Sequence, residues 1–126
     1  MKIILTAWKD NRPEHVNLRN VNELYHMLRT KYGDNNVSLC LGRYLGKNEM
    51  SVCVNAEHTD VFLLKTMMQR YEQETALLLW SNVGEFYQPR GHNSGAALTI
   101  KCTKERPVGD YTYFLKTGEY LHVVPS

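Results

Sequence analysis

The side chains with the widest chemical scope stand where the patterned segments of this sequence begin or end. Glu49 opens the alternating run Met50 to Val54, while Glu72, Gln73 and Glu74 lie together ahead of the apolar run Ala76 to Trp80. Glu85 follows directly on Gly84. Tyr44 precedes Glu49 by five residues, a spacing that places a phenol and a carboxylate near one end of a hairpin, where they can share a site. Such a set suits a small charged metabolite. Taken singly, each glutamate also fits a solvated charge, because Glu is rarely buried without a partner, and Tyr44 fits a sheet-edge aromatic with its hydroxyl in water.

Other chemistries find less support. The five histidines show no metal-ligand spacing, and Cys40, Cys53 and Cys102 are neither paired as in a zinc site nor even in number as in a secreted disulfide framework. Reduced, packed thiols are expected. There is no Walker loop and no G-x-G-x-x-G, and Gly42 and Gly46 around Arg43-Tyr44 read as shaping a hairpin end. Serine and cysteine nucleophiles lack a local elbow or an obvious histidine partner. Fifteen Lys and Arg against thirteen Asp and Glu leave a net charge of +2, too little for a polyanion binder that works by counterion release. Met50 to Val54 also carries no stacking aromatics of the RNA-recognition kind, so no nucleic-acid partner is expected. The N-terminal apolar run is too short for a signal peptide and no later run approaches a membrane span, so no membrane partner and a cytoplasmic location are expected.

The elements that must hold these residues follow from periodicity. Ile3 to Trp8 reads as a strand ended by Asp10-Asn11-Arg12-Pro13. Asn20 and Glu23 have the layout of a capping box, and Val21, Leu24, Leu28 and Tyr32 continue at helical spacing until Gly33. Val37, Leu39 and Leu41, then Met50, Val52 and Val54, alternate as two strands around Gly46-Lys47-Asn48. Thr59-Asp60 caps a second helix with Val61, Leu64, Met67 or Met68, and Tyr71 on its stripe, and Ala76 to Trp80 is a buried strand. Short strands follow at Phe86-Tyr87, Ala97 to Ile100, Tyr111 to Phe114 and Tyr120 to Val124, with a mobile loop at Pro89 to Ser94. The order predicts one domain over residues 1–126 of the α+β class: a ferredoxin-like βαββαβ antiparallel sheet with two helices on one face and extra C-terminal strands.

Several stretches together resemble the small phage-encoded S-adenosylmethionine lyases, formerly called S-adenosylmethionine hydrolases. They are Val16-Asn17-Leu18 and Leu28-Arg29; Leu41-Gly42-Arg43-Tyr44; Glu49 with Met50-Ser51-Val52-Cys53-Val54; Tyr71-Glu72-Gln73-Glu74; and Phe114 through Val124. The resemblance implies a PII-like trimer of ferredoxin-like subunits with the ligand between neighbours. It also implies cleavage of S-adenosylmethionine to L-homoserine lactone and 5′-methylthioadenosine without a cofactor, which lowers the host methyl donor and counters restriction-modification. Tyr44 and Glu49 match the family's active-site positions, and Glu85, Glu72 and Gln73 are expected to bind substrate.

Such a reaction needs no enzymatic nucleophile. The sulfonium leaves as a neutral thioether, and the substrate's carboxylate closes a five-membered ring on Cγ, so holding the reactive conformer in a dry pocket is the main task. Water attack, giving homoserine, is the hydrolytic variant. Two readings of another class stand beside the enzyme: a non-enzymatic trimeric module that binds a nucleotide-like ligand, and a protein inhibitor of a host defence enzyme.

Overall fold

The computed structural model describes residues 1–56, 61–73, 76–80, 83–87 and 98–124, with backbone alone for 61–64, 86 and 87. In chain order the elements are β1 (Lys2–Leu5), α1 (Glu14–Tyr32), a 3-10 turn (Asp34–Asn36), β2 (Val37–Tyr44), β3 (Lys47–Asn55) and α2 (Val61–Arg70). Then come β4 (Ala76–Trp80), β5 (Val83–Tyr87), β6 (Leu98–Thr103), β7 (Tyr111–Phe114) and β8 (Glu119–Val123). All eight strands join one antiparallel sheet in the order β1-β3-β2-β7-β8-β6-β5-β4, and β4 pairs back onto β1, so the sheet closes into a barrel.

Closure overturns the expected ferredoxin-like fold and the PII-like comparison that went with it. In an open sheet β2 and β4 would be edges; here β7 pairs with β2 and β5 with β4, and every strand has two neighbours. The strands expected as an appendage are half of the wall. Their pairing satisfies backbone groups that an open edge leaves free.

Closure also gives the sheet two buried faces, which explains why β1 and β4 are apolar without alternation. Outward, Ile3, Leu5, Val37, Val52, Val54, Ala76 and Leu78 pack with Val21, Leu24 and Leu28 of α1 and with Met68 and Tyr71 at the end of α2. Inward, Ile4, Cys40, Cys53, Leu79, Ile100 and Leu121 form a smaller cluster that plugs the lumen. An eight-stranded barrel is just wide enough for side chains to fill it or for one small ligand to enter. Among the described residues, no helix is long and apolar enough to cross a membrane.

Helix α1 starts at Glu14, six residues before the expected Asn20 cap. Pro13 precedes it, and the Pro13 carbonyl accepts from Val16 and Asn17 N–H at 3.1 Å. Glu23 is not used as a capping partner: its Oε1 accepts from the Tyr71 hydroxyl at 2.6 Å and from Arg70 Nη2 at 2.9 Å. Buried Asn17 is a clamp, its Oδ1 accepting from Lys9 N–H at 2.9 Å and its Nδ2 donating to the Lys9 carbonyl at 2.8 Å. It pins the β1–α1 connection beside one mouth of the barrel. The second mouth-shaping feature is the hairpin turn, which is Leu45-Gly46, not Gly46-Lys47-Asn48. Both turn residues have positive φ, 52° and 78°, the conformation that suits a tight two-residue β-hairpin.

Candidate functional site

A cavity of about 500 Å³ opens at this mouth, above the lumen plug. Tyr44 and Glu49 both line it, with Thr6, Ser51, Gln73, Asp110, Tyr111 and Thr112. Strand register accounts for the grouping. Gly42 pairs with Glu49 on β3 and with Thr112 on β7, and cross-strand partners share a face, so all three positions face the lumen, as does Tyr44 two residues on from Gly42. The Tyr44 hydroxyl is hydrogen-bonded to the hydroxyl of Thr112, which is 1% exposed. Asp110 Oδ1 accepts from the Leu45 N–H at 2.9 Å and ties the hairpin tip to the β6–β7 connection.

Acidic side chains outnumber basic ones in the described lining of the cavity. Among its described lining residues the cavity has two carboxylates, Glu49 and Asp110, and no Lys or Arg. Glu49 is half-buried; loss of water, and then repulsion from Asp10, push its carboxyl up to about 7. Asp10 itself is paired with Lys47 Nζ at 3.0 Å. Burial likewise raises the Tyr44 phenol above its ordinary range, with the bond to Thr112 opposing and the Glu49 charge adding to the rise. A groove of about 680 Å³, with Trp8, Asp10 and Arg12 in its wall, adjoins the cavity, and Glu49 and Tyr111 belong to both.

Gln73 enters the cavity wall through the way α2 ends. Glu72 N–H bonds the Gln69 carbonyl at 3.2 Å, Gln73 N–H bonds that of Met68 at 2.8 Å, and Glu72 takes φ 57°: a Schellman turn with glutamate where glycine is usual. The Gln73 Nε2 donates to the Trp8 carbonyl at 3.0 Å. Glu72 is not in the cavity lining; its exposed carboxylate lies 3.5 Å from Lys9 Nζ and from Arg12 Nη2. Glu85 pairs with Leu78, which packs in the outer core, so it shares the outer face of the barrel. The structure therefore brings Tyr44, Glu49 and Gln73 together and leaves Glu72 and Glu85 elsewhere on the molecule. Glu74, the Thr59-Asp60 cap and the Pro89 to Ser94 loop lie outside the described residues.

Thr112 and Asp110 were not legible as site residues, since Thr112 is 68 residues from Tyr44 and nothing local marks β7 as its neighbour. The cysteines take no part in the cavity wall. Cys40 and Cys53 are buried in the lumen, where a hydrogen bond to Cys53 and burial raise the Cys40 thiol and keep it protonated. Among the described residues no group of three or more His, Cys, Asp or Glu is placed to hold a metal.

The model of the S-adenosylmethionine lyase family matches residues 3–124, nearly the whole chain, and the chain belongs to that family. Among curated proteins, none matches it.

Proposed function

We propose that this member of the S-adenosylmethionine lyase family cleaves S-adenosylmethionine in the cavity at the barrel mouth, releasing L-homoserine lactone and 5′-methylthioadenosine. The observation that carries this reading is Glu49: a half-buried carboxylate, pushed up to about 7, in a cavity without Lys or Arg among its described lining residues. A group in that state is completed by a cationic ligand, and the substrate brings two positive centres. The substrate carboxylate attacks Cγ, the Cγ–S bond breaks with its electron pair passing to sulfur, and no proton has to move.

Charge bookkeeping assigns Glu49 its partner. The sulfonium loses its charge in the transition state, so a carboxylate placed on it would hold back the reaction, whereas the α-ammonium stays charged throughout. Glu49 therefore anchors the ammonium. Tyr44, fixed through Thr112, packs against the substrate and closes the pocket to water. With both reacting charges disappearing, a dry pocket favours ring closure. Gln73 binds through its amide, while Glu72 and Glu85, outside this cavity, bind substrate only across subunit boundaries.

The assembly is a homotrimer with the mouths at those boundaries. Leu45 and Val108, 90% and 104% exposed, are apolar side chains beside the opening, Val108 in its wall, and a neighbouring subunit would cover them. The biological outcome is depletion of the host methyl donor in the cytoplasm of a phage-infected cell, against restriction-modification.

The test is product analysis at early times in water enriched in heavy oxygen. Unlabelled homoserine lactone with 5′-methylthioadenosine is the expected result. Labelled homoserine with no preceding lactone would make the enzyme a hydrolase, and neither product above background would end the catalytic reading.

A further inference from the structure

We propose that Gly42 is a positioning residue: the missing side chain at position 42 is the seat in which the Tyr44 ring lies, and that seat holds the phenol inside the cavity. A Cβ built on Gly42 would overlap Tyr44 Cε2 and crowd Cδ2 and Cζ at 3.2 Å, so the ring would have to leave its place. Nothing in the backbone asks for glycine there. Gly42 lies within β2 and is not among the positive-φ glycines, which are Gly33, Gly46, Gly109 and Gly118. A glycine inside a strand costs about 0.5–1 kcal/mol relative to alanine, so its presence needs another reason, and the ring supplies one.

The register shows what the seat achieves. Gly42 stands between Glu49 on β3 and Thr112 on β7, all three facing the lumen. Any side chain at 42 would fill the gap between the carboxylate and the threonine. With none, the Tyr44 ring folds back over that gap until its hydroxyl reaches Thr112. The phenol is thereby fixed next to Glu49 and not left at the exposed hairpin tip, where Leu45 is 90% exposed. The catalytic consequence rests on the reading that Tyr44 touches substrate; the structural claim does not.

The experiment separates the two. Gly42→Ala, Tyr44→Ala and the double variant are made in the full chain, and Tyr44 is observed by NMR through the cross-peak between its ring protons and the Thr112 methyl. Gly42→Ala should abolish that cross-peak and lower kcat/KM on S-adenosylmethionine by about three- to tenfold, the scale of one buried aromatic packing contact. It should cost nothing further in the Tyr44→Ala background, because the ring it displaces is already gone. Retention of the cross-peak in Gly42→Ala, or an equal loss of activity with and without Tyr44, overturns the proposal. Should Gly42→Ala fail to fold, the double variant decides: recovery of folding supports the seat, and continued failure overturns it. If the wild-type protein turns over no S-adenosylmethionine, the catalytic reading falls, and the cross-peak still judges Gly42.

Discussion

Lowering the pH from 8 to 6 should weaken ligand binding through Glu49 by an amount that the structure sets. Burial pushes its carboxyl up to about 7, so about nine-tenths is ionised at pH 8 and about one-tenth at pH 6. If the ionised form is the one that binds an ammonium group, apparent affinity follows that fraction and falls about tenfold. A carboxyl left at the ordinary 4.5 would change affinity by only a few per cent over the same range. The assay is calorimetric binding of S-adenosylhomocysteine, which keeps the α-ammonium and cannot lose its thioether, in buffers of different ionisation enthalpy so that protons released are counted. Glu49→Gln serves as the reference, because titration of the ligand's own groups is common to both proteins. Wild type should release close to one proton per site at pH 6 and show the tenfold change; Glu49→Gln should bind weakly and nearly independently of pH. Parallel profiles in the two proteins would refute the assignment. The same carboxyl sets a sign for stability without ligand. The folded state holds the proton more tightly than the unfolded chain, so stability is lost as pH rises from about 4.5 to about 7, and Glu49→Gln should flatten that slope.

Glu49→Gln should also lower kcat/KM by about ten- to a hundredfold while the protein stays folded, as steady-state kinetics and circular dichroism will report, since a charge-assisted hydrogen bond contributes about 1.5–3 kcal/mol. Glu72→Gly relieves a positive-φ side chain and gives up only two long ion pairs of 3.5 Å made by an exposed carboxylate, so it should stabilise the protein by about 0.5–1 kcal/mol in urea unfolding. Leu24→Ala empties a fully buried site between α1 and the barrel and should cost about 2–5 kcal/mol in the same measurement. A thiol reagent should label exposed Cys102 quickly in the native protein and reach buried Cys40 and Cys53 only on unfolding, as peptide mapping after a timed reaction will show.

Much of the local structure was legible because it follows from short-range patterns. Alternation marked β2 and β3, and the unbroken apolar run Ala76 to Trp80 marked a strand buried on both faces. The start of α1 was missed because its first turns carry a buried polar residue, Asn17, whose partners are in the preceding connection and not in the helix. Glu23 departs from its spacing for a similar reason: its distance from Asn20 suits a cap, but its carboxylate is taken by Arg70 at the end of α2 and by Tyr71 just after it. Tyr44 and Glu49 could be placed near one another because a hairpin keeps its own strands in register.

What the sequence determined by itself is the family, the strand and helix periods, and the pairing of a phenol with a carboxylate across one tight turn. The tertiary structure decided the rest: that β5 to β8 are barrel wall and not an appendage, that Thr112 receives the Tyr44 hydroxyl, and that Glu72 and Glu85 stand apart from the cavity. The physical reason is that periodicity is encoded within a few residues, whereas the partner of a strand is chosen by which distant edge is left unpaired. In this chain, closing the last edge creates both the lumen and the site.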